Sequence, residues 1–153
     1  SKADPVTREH FQYITDRTAQ EDPFLQDLKQ AAREADIPAI WISPAQASFM
    51  QILLRSSGAK EIIEVGTLAG YSAITMARAL PQGGRVRTIE LNLEFADFAE
   101  RWASQSDVSE RIEETVFPLF TKDSLKYGYF KTIVVSPKEN KENTLYFPSF
   151  KYV

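Results

Sequence analysis

The chain has 153 residues, 43% of them apolar, which suits one folded domain around a single core and is too apolar for a disordered chain. A formal charge of -3 offers no basic face for counterion release, so bulk attraction to nucleic acid is excluded. There is no cysteine and one histidine, His10, which excludes disulfides and thiolate or multi-histidine metal centres; no apolar run approaches the ~20 residues of a membrane span and no signal-peptide core opens the chain, so a cytoplasmic protein without a membrane partner is expected.

Three helices are expected before the first strand, within residues 4–58. Asp4-Pro5 and Asp22-Pro23 each set a cap residue ahead of a proline at the first helical position, where the missing N–H costs nothing. Leu25, Leu28, Ala32 and Ala35 recur at helical spacing behind the second of these. Ser43-Pro44-Ala45-Gln46 is a capping box opening the third helix, with Phe49, Ile52 and Leu53 as its apolar stripe and Gly58 as its stop.

The pattern then changes to strand, helix, strand, helix over residues 60–104. Glu61-Ile62-Ile63-Glu64-Val65 predicts a strand, Gly66-Thr67-Leu68-Ala69-Gly70 a turn, and residues 71–80 a helix. Pro81-Gln82-Gly83-Gly84 breaks that helix, residues 85–91 alternate as a second strand, and Asn92 caps a helix burying Phe95, Phe98, Ala99 and Trp102. This rhythm predicts a Rossmann-like α/β fold: a parallel sheet with helices on both faces. The remainder, 110–153, is less regular. Residues 112–117 and 132–135 predict short strands, 118–129 carries no firm pattern, SPKENKEN is a polar loop, and the tail LYFPSFKYV predicts strand or extended chain.

The residues that carry chemistry cluster at the first strand-to-helix turn. In open parallel sheets ligands bind at the carboxyl ends of the strands, where Gly66 and Gly70 allow close backbone approach and the helix beginning at Tyr71 presents free N–H groups. Glu90, 20 positions after Gly70 at the end of the next strand, is placed to accept hydrogen bonds from both hydroxyls of a ribose. Dinucleotides prefer G-x-G-x-x-G. Here the spacing is G-x-x-x-G, and Glu64 stands two residues before the first glycine, awkward beside a pyrophosphate but suited to the ammonium of an amino acid. S-adenosylmethionine (SAM) carries both an ammonium and a ribose, so SAM is favoured over a nicotinamide dinucleotide. A tight turn with no ligand role explains the glycines, but not the two acids together.

The stretch from Ile42 to Leu91, with Ser43-Pro44, Gln46, Phe49, Gly58-Ala59-Lys60, EVGTLAGYS and TIEL, resembles the cation-dependent O-methyltransferases, the group of catechol and caffeoyl-CoA O-methyltransferases. That resemblance runs from about Thr7 to Glu113. It implies a SAM-dependent enzyme transferring methyl to a hydroxyl of a small, aromatic acceptor. It also implies that Glu64 binds the SAM ammonium and that Ser72 and the backbone at Ile42, Gly66 and Thr67 hold the methionine portion. Tyr71 would pack nearby, Glu90 would take the ribose and Leu91 the adenine. A homodimer is left open.

The resemblance also implies a divalent cation held by an acidic residue after the fourth strand and by a later Asp-Asn pair. In TIVVSPKENKEN the acidic position is taken by Lys138 or Ser136, depending on register, and neither replaces a carboxylate for a hard cation. No Asp-Asn pair follows before Val153, so the fold as implied is incomplete at its C-terminal end and no metal ligand or catalytic residue is assigned. A SAM-binding relative without activity and a nicotinamide-dependent oxidoreductase remain the alternatives. His10, Lys141, Trp41, Trp102, Phe147, Phe150 and Tyr152 are read as surface or packing residues.

Overall fold

The computed structural model describes residues 5–18, 20–116, 132–136 and 145–148, with backbone alone from residue 115 onward. The first helix, α1 (Arg8–Thr15), begins later than Asp4-Pro5 predicts. Asp4 lies outside the described residues, Pro5 precedes the helix, and Thr7 is the cap, its N–H donating to Nδ1 of His10 at 3.0 Å. That reciprocal bond satisfies an amide that Pro5 leaves untouched. His10 is exposed, as expected.

The second start is where the sequence places it. In α2 (Pro23–Glu34) the Asp22 carboxylate accepts from the Leu25 N–H at 3.2 Å. Leu25, Leu28 and Ala32 are buried, while Ala35 is the exposed C-cap and Ile37 takes the next core position. Helix α3 (Pro44–Ser57) carries the expected capping box, Ser43 N–H to Gln46 at 2.8 Å and Gln46 N–H to Ser43 at 3.2 Å, and ends on Gly58 at φ 65°. Its buried stripe is Ala47, Met50 and Leu54, not Phe49, Ile52 and Leu53; Phe49 and Ile52 are 61% and 59% exposed. Caps fix where a helix ends but not which face turns inward. Ala47, Met50 and Leu54 turn inward on the helix that packs against α4.

Strands β1 (Glu61–Val65), β2 (Arg85–Glu90) and β3 (Ile112–Val116) are parallel, with Ile62 opposite Val86 and Val86 opposite Ile112. The crossovers are α4 (Tyr71–Ala77) and α5 (Leu93–Gln105), the latter capped by the Asn92 side chain on the N–H groups of Glu94 and Phe95. Both crossovers step the same way along the order β3-β2-β1. Right-handed connections therefore lay α4 and α5 over one face of the sheet. That face buries Ile62, Glu64, Val86, Thr88 and Glu90. Among the described residues the opposite face is solvated: Ile63 is 43% exposed, and Arg85 and Arg87 reach Glu113 at 2.6 and 2.9 Å, with Arg87 also 3.1 Å from Glu61.

Beyond β1 the sheet departs from the parallel pattern. Strand β4 (Thr132–Ser136) pairs antiparallel with β1, and β5 (Leu145–Pro148) antiparallel with β4. This pairing satisfies the edge amides and carbonyls that β1 would otherwise leave open. It sets Thr132 beside Val65 and Ser136 beside Glu61. The core on the covered face is built from Leu28, Leu54, Ile74, Met76 and Val86, with Trp102 edge-on to Phe24 at 5.2 Å.

Candidate functional site

Three of the five residues from Gly66 to Gly70 have left-handed backbone: Gly66 at φ 92°, Leu68 at φ 56° and Gly70 at φ 81°. Glycine adopts this region freely, whereas a leucine there is strained by about 1 kcal/mol. Neighbours hold the turn. The Leu68 N–H donates to Glu90 Oε2 at 2.7 Å, the Gly66 N–H to the Ile89 carbonyl at 2.7 Å, and the Gly70 N–H to the Thr67 carbonyl at 3.0 Å. A Cβ on Gly70 would lie 3.3 Å from the Ala99 Cβ, so the glycine also sets how closely α5 approaches the turn.

Two carboxylates serve this turn differently. Glu64, at the inward-facing fourth position of β1, is fully buried beneath it. Ser72 Oγ donates to Glu64 Oε1 and Thr88 Oγ1 donates to Oε2 at 2.8 Å. Thr88 has one hydroxyl proton, already given to Glu64, so Thr67 is the donor in the 2.6 Å contact between the two threonines. The result is a continuous proton chain from the turn to the acid. Glu90 closes β2 at the rim, 8% exposed. Its Oε1 accepts from the N–H groups of Leu91 and Asn92 at 2.8 and 3.0 Å, and its Oε2 from Leu68.

Of the other sequence-derived positions, Thr67, Tyr71, Ser72 and Leu91 adjoin this centre along the chain. Ile42 packs partly buried against the core just ahead of the Ser43 cap, and Leu91 is 41% exposed beside Glu90. Thr67 and Ser72 are buried at 1% exposure, and Tyr71, at 2%, turns its hydroxyl to Glu21. Trp41 is half-buried, with the Arg33 guanidinium 5.5 Å from its ring.

Four residues escaped the sequence reading. Thr88 was signalled as a polar residue at an inward position between Val86 and Glu90, and Lys29 as a lysine on the apolar stripe of α2. Glu21 takes its place through contacts that spacing cannot foresee. Glu114, beside Thr88 on β3, has both carboxylate oxygens buried without a hydrogen-bond partner among the described residues. Burial, reinforced by Glu100, Glu90, Glu64 and Asp97, pushes its carboxyl up to about 8. Its signal was again an acid at an inward strand position.

Among the described residues no three His, Asp or Glu side chains converge to hold a metal ion. Lys138 and Lys141 lie outside the described residues, as do Phe150 and Tyr152. Ser136 is placed as backbone at the Glu61 end of β1, about 13 Å along the strand from the Val65 end that leads into the turn. No described helix is long and apolar enough to cross a membrane.

Comparison with known proteins bears on this geometry. The family described as O-methyltransferase matches residues 15–136. A catechol O-methyltransferase of Niastella koreensis is 41% identical over 101 residues, covering 66% of this chain and 46% of its own length. A catechol O-methyltransferase of Mycobacterium tuberculosis is 34% identical over 122 residues, covering 78% and 56%. Among solved structures, the Bacillus cereus O-methyltransferase in complex with S-adenosylhomocysteine superposes with a TM-score of 0.66 at 37% identity, over 75% of this chain and 51% of that one. The Streptomyces achromogenes O-methyltransferase TomG, in complex with SAM, does so at 0.62 and 38%, over 68% and 47%. The chain thus spans about half the length of the relatives it matches.

Proposed function

We infer, from the premise that this chain belongs to the O-methyltransferase family, that it binds SAM at the β1–α4 turn and serves methyl transfer to a hydroxyl oxygen of a small aromatic acceptor. The observation that carries this reading is the pair of carboxylates on one glycine turn, Glu64 beneath it and Glu90 at its rim. The donor set suits a cation: within the turn and its two flanking acids there is no lysine or arginine. The nicotinamide alternative has no support in these relatives.

When bound, SAM supplies an electrophilic methyl on a sulfonium. The protein's part is binding and orientation. Glu90, held by three backbone amides, presents its remaining acceptor capacity to ribose hydroxyls. Leu91 offers exposed apolar surface for the adenine. Gly66, Thr67 and Gly70 would let the backbone approach the methionine portion, and the resemblance assigns Ile42 to the same portion. Glu64, which accepts from Ser72 and Thr88, fixes the turn and would be the carboxylate facing the ammonium. A small-molecule acceptor, a cytoplasmic setting and a single SAM-binding domain over the chain go with this reading.

Glu90→Gln is expected to weaken S-adenosylhomocysteine binding about 10- to 100-fold, the scale of hydrogen bonds to a charged acceptor. Calorimetry on the folded variant checks it, and unchanged affinity would remove the ribose assignment.

The cation is a separate question. Lys138 or Ser136 stands where the resemblance needs a carboxylate, and an ammonium repels a divalent ion while a hydroxyl holds it weakly. The 153-residue chain is therefore expected to bind Mg²⁺ no better than a generic acidic surface and to methylate a catechol weakly. Turnover measured with and without chelator decides this. Robust activity abolished by chelation would overturn the expectation, and cofactor binding without turnover would favour the binding-only relative.

A further inference from the structure

The ion pair of Lys29 and Glu21 is nearly dry, its side chains 9% and 12% exposed, with Nζ 2.6 Å from Oε1. Desolvation offsets most of what such a pair gains, so stability alone is a weak account of it. The same Oε1 accepts the Tyr71 hydroxyl at 2.6 Å, and Nζ lies over the Tyr71 ring, 4.1 Å from its centroid. Burial and the neighbouring carboxylate keep the phenol protonated well above its ordinary range, so it donates throughout the working pH.

Tyr71 is the first residue of α4 and follows directly on Gly70. Helix α4 has no side-chain cap of its own, and the turn before it contains two glycines and a strained leucine. Left to itself, such a turn samples many backbone states. At the C-cap of α4, Arg78 reaches Asp22 at 2.6 Å, and within the helix the Thr75 carbonyl accepts from Gln51 at 2.8 Å. The link at Tyr71 falls where turn and helix meet, one residue before the Ser72 hydroxyl that donates to Glu64.

We propose that Glu21 and Lys29 are positioning residues that act through the Tyr71 hydroxyl to hold the Gly66–Gly70 turn in its cofactor-binding shape. The proposal rests on the cofactor reading above. It makes the N-terminal segment ahead of α2 part of the cofactor site, although neither charged side chain need touch the ligand.

The test uses the 153-residue chain and two variants. Tyr71→Phe removes the hydroxyl while keeping the ring and the ion pair. The double variant Glu21→Gln with Lys29→Gln removes both charges together, so neither is left buried alone. Each is measured for S-adenosylhomocysteine affinity by calorimetry and for amide hydrogen exchange at residues 66–72 and in α5. The expected result for both is an affinity loss of about tenfold, with exchange faster by about the same factor in the turn and little changed in α5. A merely structural role would accelerate exchange everywhere and leave the affinity of the folded protein alone. Wild-type affinity and turn exchange in both variants would overturn the proposal, as would an affinity loss without faster turn exchange. If the unmodified chain binds no S-adenosylhomocysteine, the cofactor reading fails, and the exchange arm by itself supports or overturns the tether.

Discussion

Replacing Glu114 by glutamine is expected to stabilise the fold by about 2 kcal/mol at pH 8 and by almost nothing near pH 4. The side chain points into the covered face of the sheet beside Thr88, and among the described residues neither oxygen has a hydrogen-bond partner. Burial, then Glu100 and Asp97 on α5 with Glu90 and Glu64 on the neighbouring strands, favour the protonated form up to about 8. In the unfolded chain the same carboxyl ionises near 4.3. The folded state therefore holds its proton more tightly, and stability from this group is complete below the unfolded value and lost as pH rises through the folded one. The unscreened shift corresponds to a larger figure, but Glu114 is only half-buried and solvent screening reduces it to about 2 kcal/mol. Urea titrations of both proteins across this range are the measurement. A stability difference independent of pH, or a glutamine variant weaker at pH 8, would show that the carboxyl is ionised and paired.

Gly66→Val is expected to lose S-adenosylhomocysteine binding by at least about 100-fold and to destabilise the fold by about 1–3 kcal/mol. The φ of 92° lies where an L side chain is strained, and a β-branched one most of all. The Gly66 N–H is bonded to the Ile89 carbonyl, so relaxing the angle would break the contact joining the turn to β2. Gly66→Ala separates the two effects. It carries the same backbone strain with less bulk, and should lose stability while losing less affinity. Normal ligand binding by Gly66→Val would sink both the close-approach argument and the location of the site.

Local chemistry in this chain is legible where one residue decides the outcome. The caps at Asp22, Ser43, Gly58 and Asn92 each rest on a few atoms of their own segment, and each is found as read. The glycine turn and its two acids are equally plain, because a strand ending in Glu-x-Gly has few structural solutions. What fails is whatever depends on neighbours distant in sequence. The inward face of α3 is set by the elements packed against it, and several apolar residues of equal size, Ile52 and Leu54 among them, compete for it in the sequence. The direction of β4 is not encoded in Thr132-Ile133-Val134-Val135, since a short apolar strand pairs in either sense. Glu64 and Glu90 lie at the ends of β1 and β2 that flank the turn, as their positions in the sequence suggest. That their oxygens already serve Ser72, Thr88 and three backbone amides is a matter of tertiary geometry.

The solvated face of the sheet solves an alignment problem. Alternation of inward and outward residues rejects a strand slipped by one position, because Ile62 and Val86 would then face water; it is blind to a slip of two. Arg85 and Arg87 of β2 lie between Glu61 of β1 and Glu113 of β3, and in the observed register Glu113 meets both arginines. Each exposed pair adds little to stability, about 0–1 kcal/mol. Together they favour registers that keep the acids of β1 and β3 beside the two arginines, a term that burial does not supply. The two faces thus both bear on strand pairing, and the cofactor turn inherits its geometry from that agreement, since Glu90 meets the Leu68 amide only when β1 and β2 are aligned.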